Sequence, residues 1–304
     1  MPIKLPQLSR REFIKRATLV GTAAAFAPQI HAGLFGKPRD RDTFFLLSDT
    51  HIAADPAQAH LNVNMADHLA AVSRELVVWP ARPAAVIVNG DLAYLTGKPG
   101  DYTQFGRSIA PIRALAPLHL TLGNHDEREV FWNAFPHESE KIKSVPQKQT
   151  GVFSSDRANW FLLDSLQTTS RTPGEIGPAQ LDWLARELDA RPLKPAIVVA
   201  HHNPQFPKAT TGLLDSDALL AVLTPRRQAK ALIFGHTHDW KIWPHESGIH
   251  FINLPPTSYP FHEDRPSGWV RCTLADDGAE FELRSLDAKH PEHAQVKKLS
   301  WRTT

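Results

Sequence analysis

Five short apolar runs in this sequence each end in side chains that can bind a metal ion or transfer a proton. The polar segments that follow the runs are Ser48–His51, Asn89–Asp91, Gly123–Asp126, His201–His202 and Gly235–His238. Short apolar runs are typical of buried strands, and open α/β sheets place ligands beyond the carboxyl ends of their strands. The five segments are therefore predicted to converge on one site.

The rest of the chain favours an α/β fold. The predicted strands are Thr43–Leu47, Ala84–Val88, Leu118–Leu122, Trp160–Leu163, Ala196–Ala200, Ala231–Phe234 and Ile249–Ile252, and the predicted amphipathic helices are Asp67–Val78 and Ala179–Leu188. Pro178 suits the first turn of the second helix. Alternation of strands with helices predicts a largely parallel sheet.

The candidate ligands at the strand ends offer carboxylate oxygen, amide oxygen and imidazole nitrogen, but no thiolate. They are Asp49, His51, Asp91, Asn124, His201, His236 and His238. This mixture suits Zn, Mn or Fe. Seven protein ligands are too many for one ion that keeps an open position, so they indicate two ions that share a carboxylate.

In order along residues 49–238, the motifs Asp-x-His, Gly-Asp, Gly-Asn-His-Asp, His and Gly-His-x-His resemble those of the calcineurin-like metallophosphoesterases. Gly-Asn-His-Asp-Glu-Arg and His-His-Asn-Pro are most similar to the class III cyclic-nucleotide phosphodiesterase group. The resemblance implies a two-sheet β-sandwich flanked by helices in four layers, with a catalytic domain over residues 40–285. It also implies hydrolysis of a phosphomonoester or phosphodiester by a metal-activated hydroxide.

The resemblance assigns a role to each candidate residue. Asp49, His51 and His238 would hold the first metal, Asn124, His201 and His236 the second, and Asp91 would bridge the two. His125 would not be a ligand. It would protonate the leaving oxygen or stabilise the developing charge.

Two alternatives remain open at this point. Gly90–Tyr94 and Val198–His201 also resemble motifs of purple acid phosphatases, in which a tyrosine binds ferric iron. Those enzymes have Asp-x-Gly where this chain has His51 in the third position, so His51 is preferred to Tyr94 as the ligand. The second alternative is a periplasmic metal-binding module without turnover, which would not need His125.

Several neighbouring side chains have ambiguous roles in the sequence. Asp126 could orient His125 or cap the following helix. Arg128 could reach a phosphate oxygen or carry a solvated charge, and the second histidine of the His201–His202 pair is interpreted as supporting rather than ligating. Two further histidines, His60 and His68, have no motif context and are interpreted as ordinary.

Residues 1–32 are predicted to be a signal peptide of the twin-arginine type. Arg10 and Arg11 lie within Ser9–Lys15, just before the weakly apolar stretch Ala17–Ala27, and this arrangement resembles the twin-arginine export signal. Cleavage after position 32 avoids the proline that follows the alternative small-x-small site at positions 25–27. The expected partner is the twin-arginine export machinery, and the expected location is periplasmic or secreted.

Charge and composition limit the remaining function classes. The formal net charge is only +2, and removal of the signal would change it to −2, so no nucleic-acid partner is expected. No apolar run approaches the roughly 20 residues that span a bilayer. The single cysteine, Cys272, is predicted to be a buried thiol in a strand, and residues 286–304 are predicted to form a polar C-terminal tail. The partner in catalysis would be a small phosphate ester whose identity the residues do not specify.

Overall fold

Two six-stranded sheets organise the protein, whose computed structural model describes residues 36–139 and 144–303. The predicted signal peptide lies outside the described residues. The first sheet contains β1 Thr43–Ser48, β4 Ala85–Asn89, β5 Leu118–Thr121, β12 Gly268–Leu274, β13 Gly278–Ser285 and β14 Val296–Ser300. Their order across the sheet is β14-β13-β12-β1-β4-β5.

The second sheet contains β6 Gly151–Ser154, β7 Asn159–Leu162, β8 Ala196–Val199, β9 Ala229–Phe234, β10 Lys241–Pro244 and β11 His250–Asn253. Their order across the sheet is β10-β11-β9-β8-β7-β6. A small hairpin, β2 Ala59–His60 and β3 Val63–Asn64, stands apart from both sheets. The described helices are α1 Met65–Val78, α2 Pro99–Leu115, α3 Arg128–Ala134, α4 Pro136–Ser139, α5 Pro178–Asp189 and α6 Ser216–Leu223.

Both sheets are mixed, which corrects the expectation of a largely parallel sheet. The strands that carry the motifs are parallel to their neighbours, as β1 is to β4 and β8 is to β9. The flanking strands are antiparallel, as β12 is to β13 and β6 is to β7. Short connections allow only antiparallel pairing, whereas parallel strands need long crossovers. The prediction of parallel strands joined by helices therefore holds for β1-β4-β5 in the first sheet and for β7-β8-β9 in the second. It fails for the strands that follow short connections.

Alternating side chains of each sheet divide the core into separate layers, because successive residues of a strand point to opposite faces. Phe44 and Leu46 of β1 pack in a cluster between the two sheets. Phe45 and Leu47 pack on the other face, in a cluster that includes the buried residues of α1 and α2. A third cluster joins the second sheet to α5 and α6. The result is the expected order of four layers, helix, sheet, sheet and helix.

Local sequence explains where the main helices begin. Asn64 caps α1, since its side chain accepts a hydrogen bond from the amide of Asp67, which satisfies one of the free donors at a helix start. Pro178 begins α5 at a position where its missing N–H costs nothing. Both helices predicted from the sequence are confirmed to within two residues at each end. Cys272 is buried in β12, as predicted.

The C-terminal residues add a strand to the first sheet, so the polar tail predicted for residues 286–304 is corrected. Val296–Ser300 forms the edge strand β14 and pairs antiparallel with β13. Leu299 and Trp301 pack against the cluster between the sheets, and Arg302 donates to the carbonyl oxygens of Ala229 and four other residues. An edge strand that carries lysines and exposes one polar face resembles a solvated tail in composition. Composition therefore favoured a tail over a strand for these residues.

Candidate metal centre

The loops that follow β1 and β4 run side by side at the carboxyl end of the first sheet. The amide of Asp49 donates to the carbonyl oxygen of Gly90 at 3.2 Å, and the amide of His51 donates to that of Asp91 at 2.9 Å. These bonds continue the parallel pairing of the two strands. They therefore place the side chains of the Asp-x-His and Gly-Asp motifs next to each other.

Five of the seven candidate ligands have left-handed backbone conformations. The φ angles are 53° at Asp49, 48° at His51, 47° at Asp91, 68° at His236 and 53° at His238. Residues other than glycine rarely adopt such angles, and they cluster at sites where the surrounding structure sustains local strain for function. The backbone is thus shaped around the site that these side chains form.

The side chains converge on two carboxylates that are fully or almost fully buried. Oδ1 of Asp49 lies 3.3 Å from Nε2 of His238, 3.8 Å from Nε2 of His201 and 4.0 Å from Nε2 of His51. Oδ2 of Asp91 lies 3.3 Å from Nε2 of His201 and 3.6 Å from Nε2 of His51. Three groups with metal-binding spacing result: Asp49, His51 and His238; Asp91, His201 and His236; and His51, Asp91 and His125.

Second hydrogen bonds orient two of the histidines for metal binding. Nδ1 of His238 lies 2.5 Å from the carbonyl oxygen of Tyr259, and Nδ1 of His201 lies 3.0 Å from that of Asn89. Because a carbonyl oxygen only accepts, each Nδ1 must carry the hydrogen, and in a neutral ring the Nε2 lone pair then faces the site. Metal-binding histidines are commonly held in this way.

Unpartnered buried atoms test whether a cation fits this site. Oδ1 of Asn124 and Nε2 of His201 are buried and have no hydrogen-bond partner among the described residues. Buried polar atoms normally have a partner. Nε2 of His51 also lies only 3.1 Å from Nε2 of His238, an approach that a cation between two lone pairs would stabilise. The donor set therefore fits bound metal.

The pKa values of the groups in the site also favour a bound cation. Burial opposes ionisation of Asp49, but His201 and His238 outweigh it and lower the pKa of the carboxyl to about 2. Burial lowers the pKa of His51 to about 3 and that of His236 to about 4, so both are neutral and able to bind a cation. Burial also acts against protonation of His201, yet Asp91 and Asp49 raise its pKa to about 10. The two carboxylates thus attract a positive charge to this position, which a metal would supply.

Glycines of the motifs leave room for the carboxylates. A Cβ at Gly123 would lie 2.2 Å from Oδ1 of Asp91, and one at Gly235 would lie 2.0 Å from Oγ of Ser48 and 2.5 Å from Oδ2 of Asp49. Neither position tolerates a side chain without displacing a candidate ligand. This contact explains why glycine precedes Asn124 and His236.

His125 lies at the edge of the centre and is half-buried. Its amide donates to Oδ1 of Asp91 at 2.9 Å, and its Nδ1 lies 2.8 Å from the carbonyl oxygen of Leu95. The Nδ1 hydrogen is therefore already used in a hydrogen bond, and Nε2 is the nitrogen that can act on another group. Its ring centroid lies 5.1 Å from that of His51. The spacing alone is compatible with a ligand and with a proton donor.

Asp126 has neither of the roles considered from the sequence. Its carboxylate accepts hydrogen bonds from the amides of Leu92, Ala93 and Gly123 and from the hydroxyl of Tyr102, at 2.9–3.1 Å. The cap of α3 is instead Glu127, and the partner of His125 is the Leu95 carbonyl. Asp126 therefore ties the loop after β4 to the loop after β5.

Arg128 also differs from both interpretations of the sequence. Its guanidinium forms two hydrogen bonds, of 2.7 and 3.0 Å, with the buried carboxylate of Asp164. It is therefore neither a solvated charge nor free to bind phosphate. His202 contacts a candidate ligand: its Nδ1 lies 2.8 Å from Oγ of Ser165, and its ring centroid lies 4.6 Å from that of His236.

The hydroxyl of Tyr94 has a hydrogen-bond partner of its own. The hydroxyl oxygen lies 3.2 Å from Nδ1 of His60. His51, by contrast, belongs to two of the three groups with metal-binding spacing. This geometry favours His51 over Tyr94 as the ligand.

Residues 257–259, which the sequence interpretation missed, support both Asp49 and His238. The amide and hydroxyl of Ser258 both donate to the carbonyl oxygen of Asp49, at 3.2 and 2.6 Å, and the Tyr259 carbonyl accepts from His238. His68, interpreted as ordinary, has its Nδ1 2.6 Å from the carbonyl oxygen of Ser258. The predicted strand Ile249–Ile252 could have indicated these residues, because the segment that follows it leaves the sheet at the same edge as the candidate ligands.

A sandwich of two mixed sheets with carboxylates and histidines at the strand ends defines a metallophosphoesterase. The family model for calcineurin-like phosphoesterases matches residues 43–240. The chain belongs to this family and is a metal-dependent phosphoesterase.

Several relatives of the chain carry the names of cyclic-nucleotide phosphodiesterases. A 3′,5′-cyclic adenosine monophosphate phosphodiesterase from Pseudomonas aeruginosa is 31% identical over 246 residues, covering 76% of this chain and 85% of the relative. One from Escherichia coli K12 is 29% identical over 249 residues, covering 79% and 84%. A cAMP/cGMP dual specificity phosphodiesterase from Mycobacterium tuberculosis is 27% identical, covering 72% and 66%.

Solved structures share the fold at low sequence identity. A dimetal phosphatase from Danio rerio superposes with a TM-score of 0.65 at 16% identity, covering 86% of this chain and 99% of that one. A purple acid phosphatase from yellow lupin gives 0.63 at 14%, covering 85% and 53%. Within residues 36–139 and 144–303, no helix is long and apolar enough to cross a membrane.

Proposed function

We propose that the protein is a two-metal phosphodiesterase in which Asp91 bridges the metals. Asp49, His51 and His238 would hold one cation, and Asn124, His201 and His236 would hold the other. The observation that carries the proposal is the position of the Asp91 carboxylate. Its Oδ2 lies 3.6 Å from Nε2 of His51 in the first set and 3.3 Å from Nε2 of His201 in the second.

When bound, the two cations would neutralise the charge of the phosphate and supply an activated water as the nucleophile. The protein itself fixes the geometry. The loops around Asp49 and Asp91 are paired through their backbones, and Ser258 and Tyr259 anchor Asp49 and His238 from the other side. The substrate phosphate would thus meet a site whose ligands are already oriented.

His125 is proposed to deliver a proton to the leaving oxygen. Its Nδ1 hydrogen is held by the Leu95 carbonyl, and its amide is bonded to Asp91. Nε2 is therefore positioned relative to the centre by two independent contacts. A proton on Nε2 would assist departure of an alkoxide, which is a poor leaving group.

The proposed substrate is a phosphodiester, with a 3′,5′-cyclic nucleotide as the first candidate. The support is the set of relatives at 27–31% identity that carry cyclic-nucleotide names. The purple-acid-phosphatase alternative is less favoured because the Tyr94 hydroxyl is bonded to His60. We further propose that the enzyme is exported by the twin-arginine route and acts in the periplasm or outside the cell.

Hydrolysis of matched substrates by the metal-loaded protein tests this function. The set should include 3′,5′-cyclic AMP, 3′,5′-cyclic GMP, a phospholipid-derived glycerol phosphodiester, and 5′-AMP as a monoester. The proposal expects turnover of a diester that is abolished by a chelator and restored by Mn, Fe or Zn. Turnover of 5′-AMP with none of any diester would favour a monoesterase, and no turnover in any loaded form would favour a metal-binding module.

A further inference from the structure

Four aromatic rings form a continuous arc along the side of the centre where the first cation is proposed. This aromatic arc consists of Tyr94, His60, Tyr259 and Phe261. Neighbouring ring centroids along it are 6.0, 4.6 and 6.2 Å apart. Tyr259 also stacks on His51 at 5.2 Å, so the arc is in direct contact with the candidate ligands.

The end of the arc is fixed by the same bonds that hold the ligands. Thr257 donates its amide to the carbonyl oxygen of Ser48 at 2.7 Å, and Ser258 donates to that of Asp49. The Tyr259 carbonyl accepts from His238. Residues 257–259 are therefore coupled to the centre, and the position of Phe261 follows two residues later.

Phe261 is exposed over 55% of its surface, yet one face of its ring is covered. The ring stacks on His238 with centroids 4.1 Å apart and planes within 9°. Single exposed apolar residues are common on proteins and need no explanation. What distinguishes Phe261 from the other exposed apolar side chains is that its covered face rests on a candidate metal ligand.

We propose that Phe261 is the platform on which the base of a nucleotide substrate stacks. This inference rests on the proposed phosphodiesterase function. With the phosphate at the cations, the organic part of the substrate needs an accessible surface beside the centre, and His201, His202 and Ser165 are all buried. Phe261 is the exposed end of the arc, and a base on its open face would extend the stack that begins at His238.

Aromatic stacking tolerates any base, because every base has a π-face. The platform would therefore raise the efficiency for nucleotides over substrates that lack a base, without strong preference among bases. Alanine substitution of a stacking residue commonly costs about 5- to 150-fold in binding. We expect the loss at Phe261 to be about 10-fold or more.

The test compares two substrates that differ only in the base. They are 3′,5′-cyclic AMP and the 3′,5′-cyclic phosphate of 1-O-methylribose, assayed with wild type, Phe261→Ala, Phe261→Leu and Phe261→Trp. We expect Ala and Leu to lower kcat/KM about 10-fold or more for cyclic AMP only, and Trp to preserve it. Phe206→Ala is the matched control, because Phe206 is 43% exposed and its ring neighbour is His245, which is not a candidate ligand.

Equilibrium dialysis provides a readout that does not depend on turnover. The metal-loaded wild type should bind 5′-AMP more tightly than ribose 5-phosphate, and Phe261→Ala should remove the difference while metal content stays unchanged. Equal losses for both substrates, or a retained preference for 5′-AMP in Phe261→Ala, would overturn the platform alone. If the wild type hydrolyses neither cyclic phosphate, the proposed substrate and the platform are both overturned.

Discussion

The backbone amide of His125 donates a 2.9 Å hydrogen bond to Oδ1 of Asp91. The candidate proton donor is thereby attached to the candidate bridging carboxylate by a bond that does not use its side chain. Replacing the imidazole should leave this bond in place. Metal binding and proton transfer can therefore be separated by one substitution.

His125→Ala should keep both metals and the fold, and it should lose about 10²–10⁴-fold in turnover, the usual contribution of general acid catalysis. The loss should be larger for alkyl esters than for activated aryl esters, because a good leaving group needs less protonation. Steady-state rates across a leaving-group series, with metal content measured on the same samples, check this. A variant that loses a metal would make His125 a ligand, and unchanged activity would refute its catalytic role.

Asp126→Asn should destabilise the metal-free protein by about 1–3 kcal/mol. The carboxylate accepts from three amides and from the Tyr102 hydroxyl, so an amide NH₂ in its place leaves at least one buried backbone donor unpaired. Tyr102→Phe tests the other end of this network, because it removes one donor to Asp126 and the acceptor of the Glu127 amide, and it should also cost about 1–3 kcal/mol. Urea unfolding of the three proteins measures both effects, and equal stability of Asp126→Asn and wild type would show that the two loops do not depend on this carboxylate.

The strand ends that carry the candidate ligands could be predicted because they depend on local patterns, whereas the two-sheet sandwich followed only from the family resemblance. An apolar run followed by Asp49 or His236 indicates both a strand and the end at which its ligand must lie. The partners of Arg128 and Asp126 were not predictable, since Asp164 and Tyr102 are brought to them only by packing of separate elements. Pairing of distant segments has no local periodicity that a sequence pattern can reveal.

The aromatic arc and the last strand were missed for related reasons. The sequence does not link His60 to the site, because its ring contacts Tyr259, which is almost 200 positions away in the sequence. Val296–Ser300 alternates between exposed and half-buried residues and carries two lysines. At an edge, such a strand is covered on one side only, so its composition resembles that of a solvated segment.

His51→Ala should reduce metal occupancy more than Tyr94→Phe does. His51 lies within reach of both carboxylates, whereas the Tyr94 hydroxyl is bonded to His60. The iron-loaded wild type should also lack the visible charge-transfer band of a tyrosinate ligand. Elemental analysis and absorption spectra of the two variants check this, and a purple protein whose colour vanishes with Tyr94→Phe would reverse the assignment.

Replacing Arg10 and Arg11 together with lysine should leave the precursor in the cytoplasm. The prediction follows from the paired arginines and the short apolar stretch after them. Fractionation of cells that express either form measures it. A conservative substitution elsewhere in the same segment, Lys15→Arg, serves as the control, and unchanged export of the double variant would refute the twin-arginine route.

Elemental analysis of the loaded protein measures whether one chain binds two metals through a shared Asp91. The wild type should bind close to two metals per chain. Asp91→Asn should weaken both sites, because Oδ2 lies between ligands of the two sets, whereas Asp49→Asn should mainly affect the first. A well-folded wild-type protein that never exceeds one metal per chain under saturating Mn, Fe or Zn would contradict a two-metal centre bridged by Asp91.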